Sequence, residues 1–190
     1  MKQARIVLLA SGNGSIAQSI IDAVANGDLD VQIVGLICDQ PGAQVLTRAS
    51  DAKIEALVIP MNQDRNSWDR EVLNELNSLK PDLVVSAGFM RILSSECVSN
   101  FRIVNSHPAL LPLFPGAHAV RDALVAGATQ TGTTIHWVDE GVDTGEIIAQ
   151  ESVEITPTDT EATLHERIKI VERRLYVVTL QQLLTNLVRS

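Results

Sequence analysis

The segment Asn105-Ser106-His107-Pro108 holds the residue types best suited to chemistry. On an extended backbone, side chains two positions apart point the same way, and Pro108 keeps His107 in the extended region. A fixed amide then stands beside a titratable imidazole. That pair suits a developing oxyanion: Asn105 donates a hydrogen bond, and His107 donates a hydrogen bond or a proton. Asp139-Glu140-Gly141-Val142-Asp143-Thr144-Gly145 adds carboxylates on a glycine-flanked loop. Asp143 beside His107 would favour the charged ring and fix its tautomer.

Ser11-Gly12-Asn13-Gly14-Ser15 lies between an apolar run and a helical pattern. Glycines permit a tight turn there, and the free N–H groups of the helix start attract an anion such as a phosphate. Gly12-x-Gly14-x-x-Ala17 also fits the dinucleotide fingerprint, with Asp39 as the ribose acid about 25 residues on, against an expected interval of about 20. On this segment alone the two readings stand side by side. The remaining histidines, His118, His136 and His165, show no metal-ligand spacing. His136 reads as a strand residue near the site and His165 as helix surface.

These residues need a scaffold. Apolar runs at 5–10, 31–38, 56–60 and 83–87 read as strands, and the helical patterns at 15–25, 42–53 and 67–79 lie between them. That alternation implies parallel strands with right-handed crossovers. Trp68 falls on the inward face of the third helix. Three prolines make 105–116 irregular. Two β-rich runs follow at 131–138 and 146–155, then a helix over 160–187 with Thr158, Asp159 or Thr160 as cap. The fold class is α/β: an open, mostly parallel twisted sheet flanked by helices, with a Rossmann-like N-terminal half. One domain is expected over 1–190, with a phosphate-binding half over 1–100 and a catalytic half over 101–190.

The composition narrows the partners. A net charge of −8 and 3% aromatic residues argue against a nucleic-acid binder. The apolar runs are strand-sized, so no membrane span is expected. The two cysteines, Cys38 and Cys97, form no CxxC pair, and a reducing, cytoplasmic setting is expected. Apolar residues around 91–97 or along the last helix could form a homodimer face, and core packing explains them equally well.

Taken together, these segments resemble the phosphoribosylglycinamide (GAR) formyltransferase family, folate-dependent enzymes of purine synthesis. The likeness runs from IVLLASGNGS (6–15) through SWDRE (67–71), PDLVVSAGFMRIL (81–93), NSHPALLPLFPG (105–116) and DEGVDTG (139–145) to LHERIKIVERRL (164–175). The resemblance implies transfer of the formyl group of 10-formyltetrahydrofolate, a co-substrate, to the amine of GAR through a tetrahedral intermediate, with no metal. By position it implies catalytic roles for Asn105, His107 and Asp143. It implies GAR contacts at Gly14, Ser15, Ile16, Lys169, Ile170, Val171 and Glu172. It implies folate contacts at Arg65, Met90, Arg91, Ile92, Leu93 and Asn105, and at Asp139, Glu140, Gly141, Val142 and Asp143. Ile16-Ala17 stands where the family usually has Asn-Leu, and Val120 where a second histidine is frequent. The alternative acceptor is another amine, such as an amino sugar nucleotide. An NAD-dependent oxidoreductase would leave the Asn105–His107 segment unexplained.

Overall fold

A computed structural model describes residues 3–189, with side chains to Thr185; Met1, Lys2 and Ser190, included in the expected domain, lie outside the described residues. β1 (Ala4–Ala10), α1 (Ser15–Ala25), β2 (Val31–Cys38), α2 (Gln44–Asp51), β3 (Ala56–Val58), α3 (Arg65–Leu79) and β4 (Leu83–Ser86) alternate as the apolar runs foretell. They are followed by α4 (Ser95–Asn100), β5 (Ile103–His107), α5 (Ala119–Val125), β6 (Gln130–Trp137), β7 (Ile147–Glu154) and α6 (Glu161–Arg189). The sheet order is β3-β2-β1-β4-β5-β6-β7. β1 to β5 run parallel, and β6 and β7 return antiparallel.

Three elements were not anticipated. α4 has six residues and α5 seven, too short to show a helical period. β5 was missed because its last three residues, Asn105 to His107, are polar. The expectation that 105–116 is irregular throughout is corrected there: pairing with β4 and β6 holds Asn105, Ser106 and His107 in a strand.

β1 shows why the sheet is covered on both sides. Its side chains alternate across the pleat: Ile6 and Leu8 enter a core with α1 and with Tyr176 and Leu180 of α6, whereas Val7 and Leu9 enter one with Trp68, Val72 and Leu76 of α3. Trp68 is fully buried, as its helical spacing suggests, and its indole N–H donates to the Ile59 carbonyl at 2.9 Å. The Tyr176 hydroxyl lies within 2.9 Å of the carbonyls of Ser86 and Val104, tying α6 to the ends of β4 and β5. Val120 packs with Val153, Leu164 and Ile168, so an apolar cluster occupies the place of the family's frequent second histidine. Among the described residues no helix is long and apolar enough to cross a membrane.

The strand order reverses direction at β1, with β2 on one side and β4 on the other. Ligands of open α/β sheets bind outside the carboxyl ends of the strands at such a point. Here the Ser11 amide donates to the Gly88 carbonyl at 3.1 Å, joining the loops that leave β1 and β4.

Candidate active site

β5 ends on its two functional side chains. Strand pairing places Asn105 opposite His136 and His107 opposite Thr134. His107 is 4% exposed, and both of its ring nitrogens face acceptors: Nδ1 lies 3.2 Å from Asp143 Oδ2, and Nε2 lies 2.8 Å from the Phe114 carbonyl. A ring carrying both protons donates at both ends. The loop after β5 is pinned by the Thr134 hydroxyl, which donates to the Ala109 carbonyl at 2.6 Å and accepts from the Leu111 amide at 3.0 Å. Gln150 reinforces it by donating to the Leu111 carbonyl at 2.9 Å. The Phe114 carbonyl is thereby set against His107.

Asp143 comes from the loop between β6 and β7. Its backbone is left-handed, with φ 55°. The loop turns back because Gly145 lies against the Trp137 carbonyl, where an added Cβ would come within 1.8 Å. Asp139 shapes the other end, its Oδ1 accepting from the Gly141 amide at 3.0 Å and from the Thr144 hydroxyl at 2.7 Å. Glu140, Gly141 and Val142 between them are exposed. Burial pushes the Asp143 carboxyl up, but His136, the Gly116 amide (2.8 Å) and His107 outweigh it and hold the carboxyl below the usual carboxylate range.

That direction fixes a pH dependence. A lowered folded-state pKa contributes stability above the unfolded value of about 3.9, and loses it as pH falls through the folded value. Asp143→Asn is expected to lower the thermal midpoint at neutral pH, and the gap to the unaltered protein is expected to narrow as the pH falls below about 4. Unfolding curves at pH 7, 5 and 3 check this; a gap independent of pH refutes it.

His136 is buried and lies within the site, as its strand position suggests, although the implied site residues did not include it. Its Nδ1 is 2.8 Å from the Trp137 carbonyl, which only accepts, so Nδ1 carries the proton. In the neutral ring Nε2 accepts from Asn105 Nδ2 at 3.3 Å. In the charged ring it lies within ion-pair distance of Asp143 Oδ1, 3.6 Å away. His136 therefore aims the Asn105 amide, and its place in the register of β6 could have pointed to it.

The other implied residues fall into two groups around this cluster. Gly14 caps α1 with φ 74°, and Ser15 faces a groove of about 600 Å³ with Arg48, Ile170 and Arg173. Ile16 is buried in the core, so its side chain offers no contact. Of the α6 stretch, Ile170 is 61% exposed at the groove, Lys169 pairs with Glu166 at 2.8 Å, and Val171 packs against the small apolar cluster. Glu172 is buried; burial pushes its carboxyl up, partly offset by the Ser106 hydroxyl and the charges of Lys169 and Arg173.

The second group is the loop after β4. Met90 and Ile92 are 67% and 61% exposed, and Leu93 packs inward. Arg91 turns to Asp39 at 2.6 Å, so the ribose acid of the dinucleotide reading is a buried residue paired with Arg91. Arg65 donates to the Ile92 carbonyl and pairs with Asp69 at 2.8 Å. Cys97 is a packed thiol whose pKa burial pushes up.

Residues 4–180 match the formyl transferase family. The phosphoribosylglycinamide formyltransferase of Mycobacterium tuberculosis is 45% identical over 187 residues, covering 96% of this chain and 86% of that protein. A solved phosphoribosylglycinamide formyltransferase from Bacillus halodurans gives a TM-score of 0.90 at 42% identity over 95% of each chain. A glycinamide ribonucleotide transformylase from Symbiobacterium toebii gives a TM-score of 0.93 at 35% identity, covering 97% of this chain and 89% of that one.

Proposed function

The chain belongs to the formyl transferase family, and on that footing we propose that it carries the formyl group of 10-formyltetrahydrofolate to the amine of GAR. The products are formyl-GAR and tetrahydrofolate, a step of de novo purine synthesis. The observation that carries the reading is the cluster of Asn105, His107, His136 and Asp143 at the carboxyl end of the sheet, in which Asn105 is hydrogen-bonded to His136 and Asp143 lies within ion-pair distance of both rings. It offers two donors to one oxygen and a carboxylate to receive and return a proton.

In the reaction, the amine lone pair attacks the formyl carbon and a tetrahedral intermediate forms, with negative charge on the former formyl oxygen. Asn105 Nδ2 and a ring proton of His107 stabilise that oxygen. His107 exchanges the Phe114 carbonyl for the oxyanion, whereas Asn105 keeps one N–H on His136 and turns its second N–H to the oxyanion. Asp143, ionised at neutral pH, holds the ring proton at Nδ1. The attacking nitrogen loses a proton, the bond from carbon to N10 breaks, and N10 gains a proton. Asp143 and His107 provide the relay. Holding both substrates in register lowers the barrier further.

The GAR phosphate sits at the start of α1, on the backbone of Gly14, Ser15 and Ile16, with the Lys169–Glu172 stretch across the groove. The folate lies against Met90, Ile92 and Val142. The exposure of these three apolar side chains beside the catalytic cluster favours a flat apolar ligand. Arg65, Arg91 and Leu93 shape that loop, and residues 139–143 close the other side. The whole chain acts as one domain, with the phosphate site mainly in 1–100 and the catalytic groups in 101–190. It works in the cytoplasm on small molecules, without nucleic acid or membrane and without a metal.

The test is purified protein mixed with 10-formyltetrahydrofolate and GAR, followed by the absorbance change on loss of the formyl donor. GAR-dependent turnover is expected. Formyl loss that needs no amine indicates hydrolysis instead, and a folded protein that leaves the donor intact refutes the reading.

A further inference from the structure

The loop between β4 and α4 has no regular structure of its own, yet it presents two of the most exposed apolar side chains in the protein, Met90 and Ile92. Such a loop holds a fixed shape only if other parts of the fold hold it. Two ties act on its backbone: the Met90 amide donates to the Ser11 hydroxyl at 2.8 Å, and Arg65 donates to the Ile92 carbonyl. The third runs between side chains. Arg91 Nε donates to Asp39 Oδ2 at 2.6 Å, from a side chain 32% exposed to one that is 0% exposed.

Asp39 follows β2, on the far side of β1 from the loop it holds. A buried carboxylate is stable only when paired and hydrogen-bonded. Its Oδ2 also accepts from Gln40 at 3.1 Å, and its Oδ1 has no partner among the described residues. Among the described residues Arg91 is therefore the one cation that pairs with this charge. Removing Arg91 leaves a buried carboxylate that cannot reach water, whereas removing Asp39 frees Arg91 to turn outward to solvent.

We infer that Asp39 is a positioning residue for the donor substrate: by holding the Arg91 side chain inward it sets Met90 and Ile92 outward as the apolar surface against which the folate packs. The inference rests on the folate reading given above. It assigns Arg91 an inward contact through its Nε. It also separates the two substrates, because the tie acts on the donor loop while the groove beside Ser15 is built by α1, α2 and α6.

The test uses Asp39→Asn, Arg91→Gln and the double variant in the full chain, with KM measured separately for 10-formyltetrahydrofolate and GAR. A charge-assisted contact of this kind corresponds to about a tenfold rise in donor KM for each single variant. The double variant is expected to be no worse than the singles, because the two residues act as one unit. KM for GAR and kcat should stay within about twofold, and the thermal midpoint of each variant reports any general loss of structure. Should Asp39→Asn fail to fold, Arg91→Gln, at a partly exposed residue, carries the same test. Equal rises in both KM values, additive effects in the double variant, or no change in donor KM overturn the inference. An unaltered protein that leaves this donor untouched overturns the folate reading, and the role of Asp39 falls with it.

Discussion

His107→Ala is expected to lower kcat by about 10²–10⁴ while KM for either substrate changes far less. On the proposed mechanism the ring serves two functions that alanine cannot supply. It donates to the oxygen that becomes negative, and it links that oxygen to Asp143 through Nδ1, 3.2 Å from the carboxylate. The loss falls on kcat because the charge on the oxygen is small in the bound donor and large in the transition state. Asn105→Ala alone is expected to cost about 10²–10³, as measured for single oxyanion donors elsewhere. The double variant should lose much less than the product of the two, since both side chains act on one atom. Steady-state rates with a thermal midpoint for each variant check this. A fall of less than tenfold in His107→Ala, in a folded protein, removes His107 from the chemistry.

The sequence displayed the parallel half of the fold well because its signals are local. Residues 6–10 form an unbroken apolar run bounded by a glycine turn, and the helices around it are long enough to show a 3.6-residue period. β5 was harder to see for a reason tied to function: Asn105 and His107 at its end are polar because they face the candidate site, Ser106 between them faces Glu172 on the other side, and a polar strand end just before Pro108 looks like a loop. The Asn105–His107 pair was legible from its spacing, and Asp143 from its glycine-flanked loop. Their union was not, because it depends on β6 returning antiparallel beside β5. That return also brings His136 to Asn105 and Thr134 to the Ala109 carbonyl. Asp39 shows the converse. Its position fits a ribose acid, and only the packing of Arg91 across β1 reveals that its charge is already committed.

Gly14→Ala is expected to damage the acceptor site and the fold together, and Gly12→Ala to do neither. Gly14 has φ +74°, and a Cβ there would lie 2.4 Å from Val45 Cγ2 and 2.6 Å from Val45 Cβ. Val45 cannot step aside. It is fully buried in α2, and its amide donates to the Gly12 carbonyl at 3.1 Å. Arg48, one turn further along α2, donates to the Asn13 carbonyl at 2.8 Å and to the Asn13 side chain at 3.2 Å. The loop and α2 are fastened together, so the added methyl must push them apart at the start of α1, where the free amides of Ser15 and Ile16 would meet a phosphate. Left-handed strain of this kind costs about 1–3 kcal/mol before any clash is counted, which lowers the midpoint by roughly 2–4 °C per kcal/mol in a chain of this size. Displaced amides should raise KM for GAR by about tenfold or more, the equivalent of one lost charge-assisted contact, with KM for the folate donor nearly unchanged. A Cβ on Gly12 meets nothing within 4 Å, so that variant should stay within about 0.5 kcal/mol of the unaltered protein. Thermal unfolding and separate KM values for the two substrates decide the matter. If the two alanine variants behave alike, the contact with Val45 is not what requires glycine at position 14.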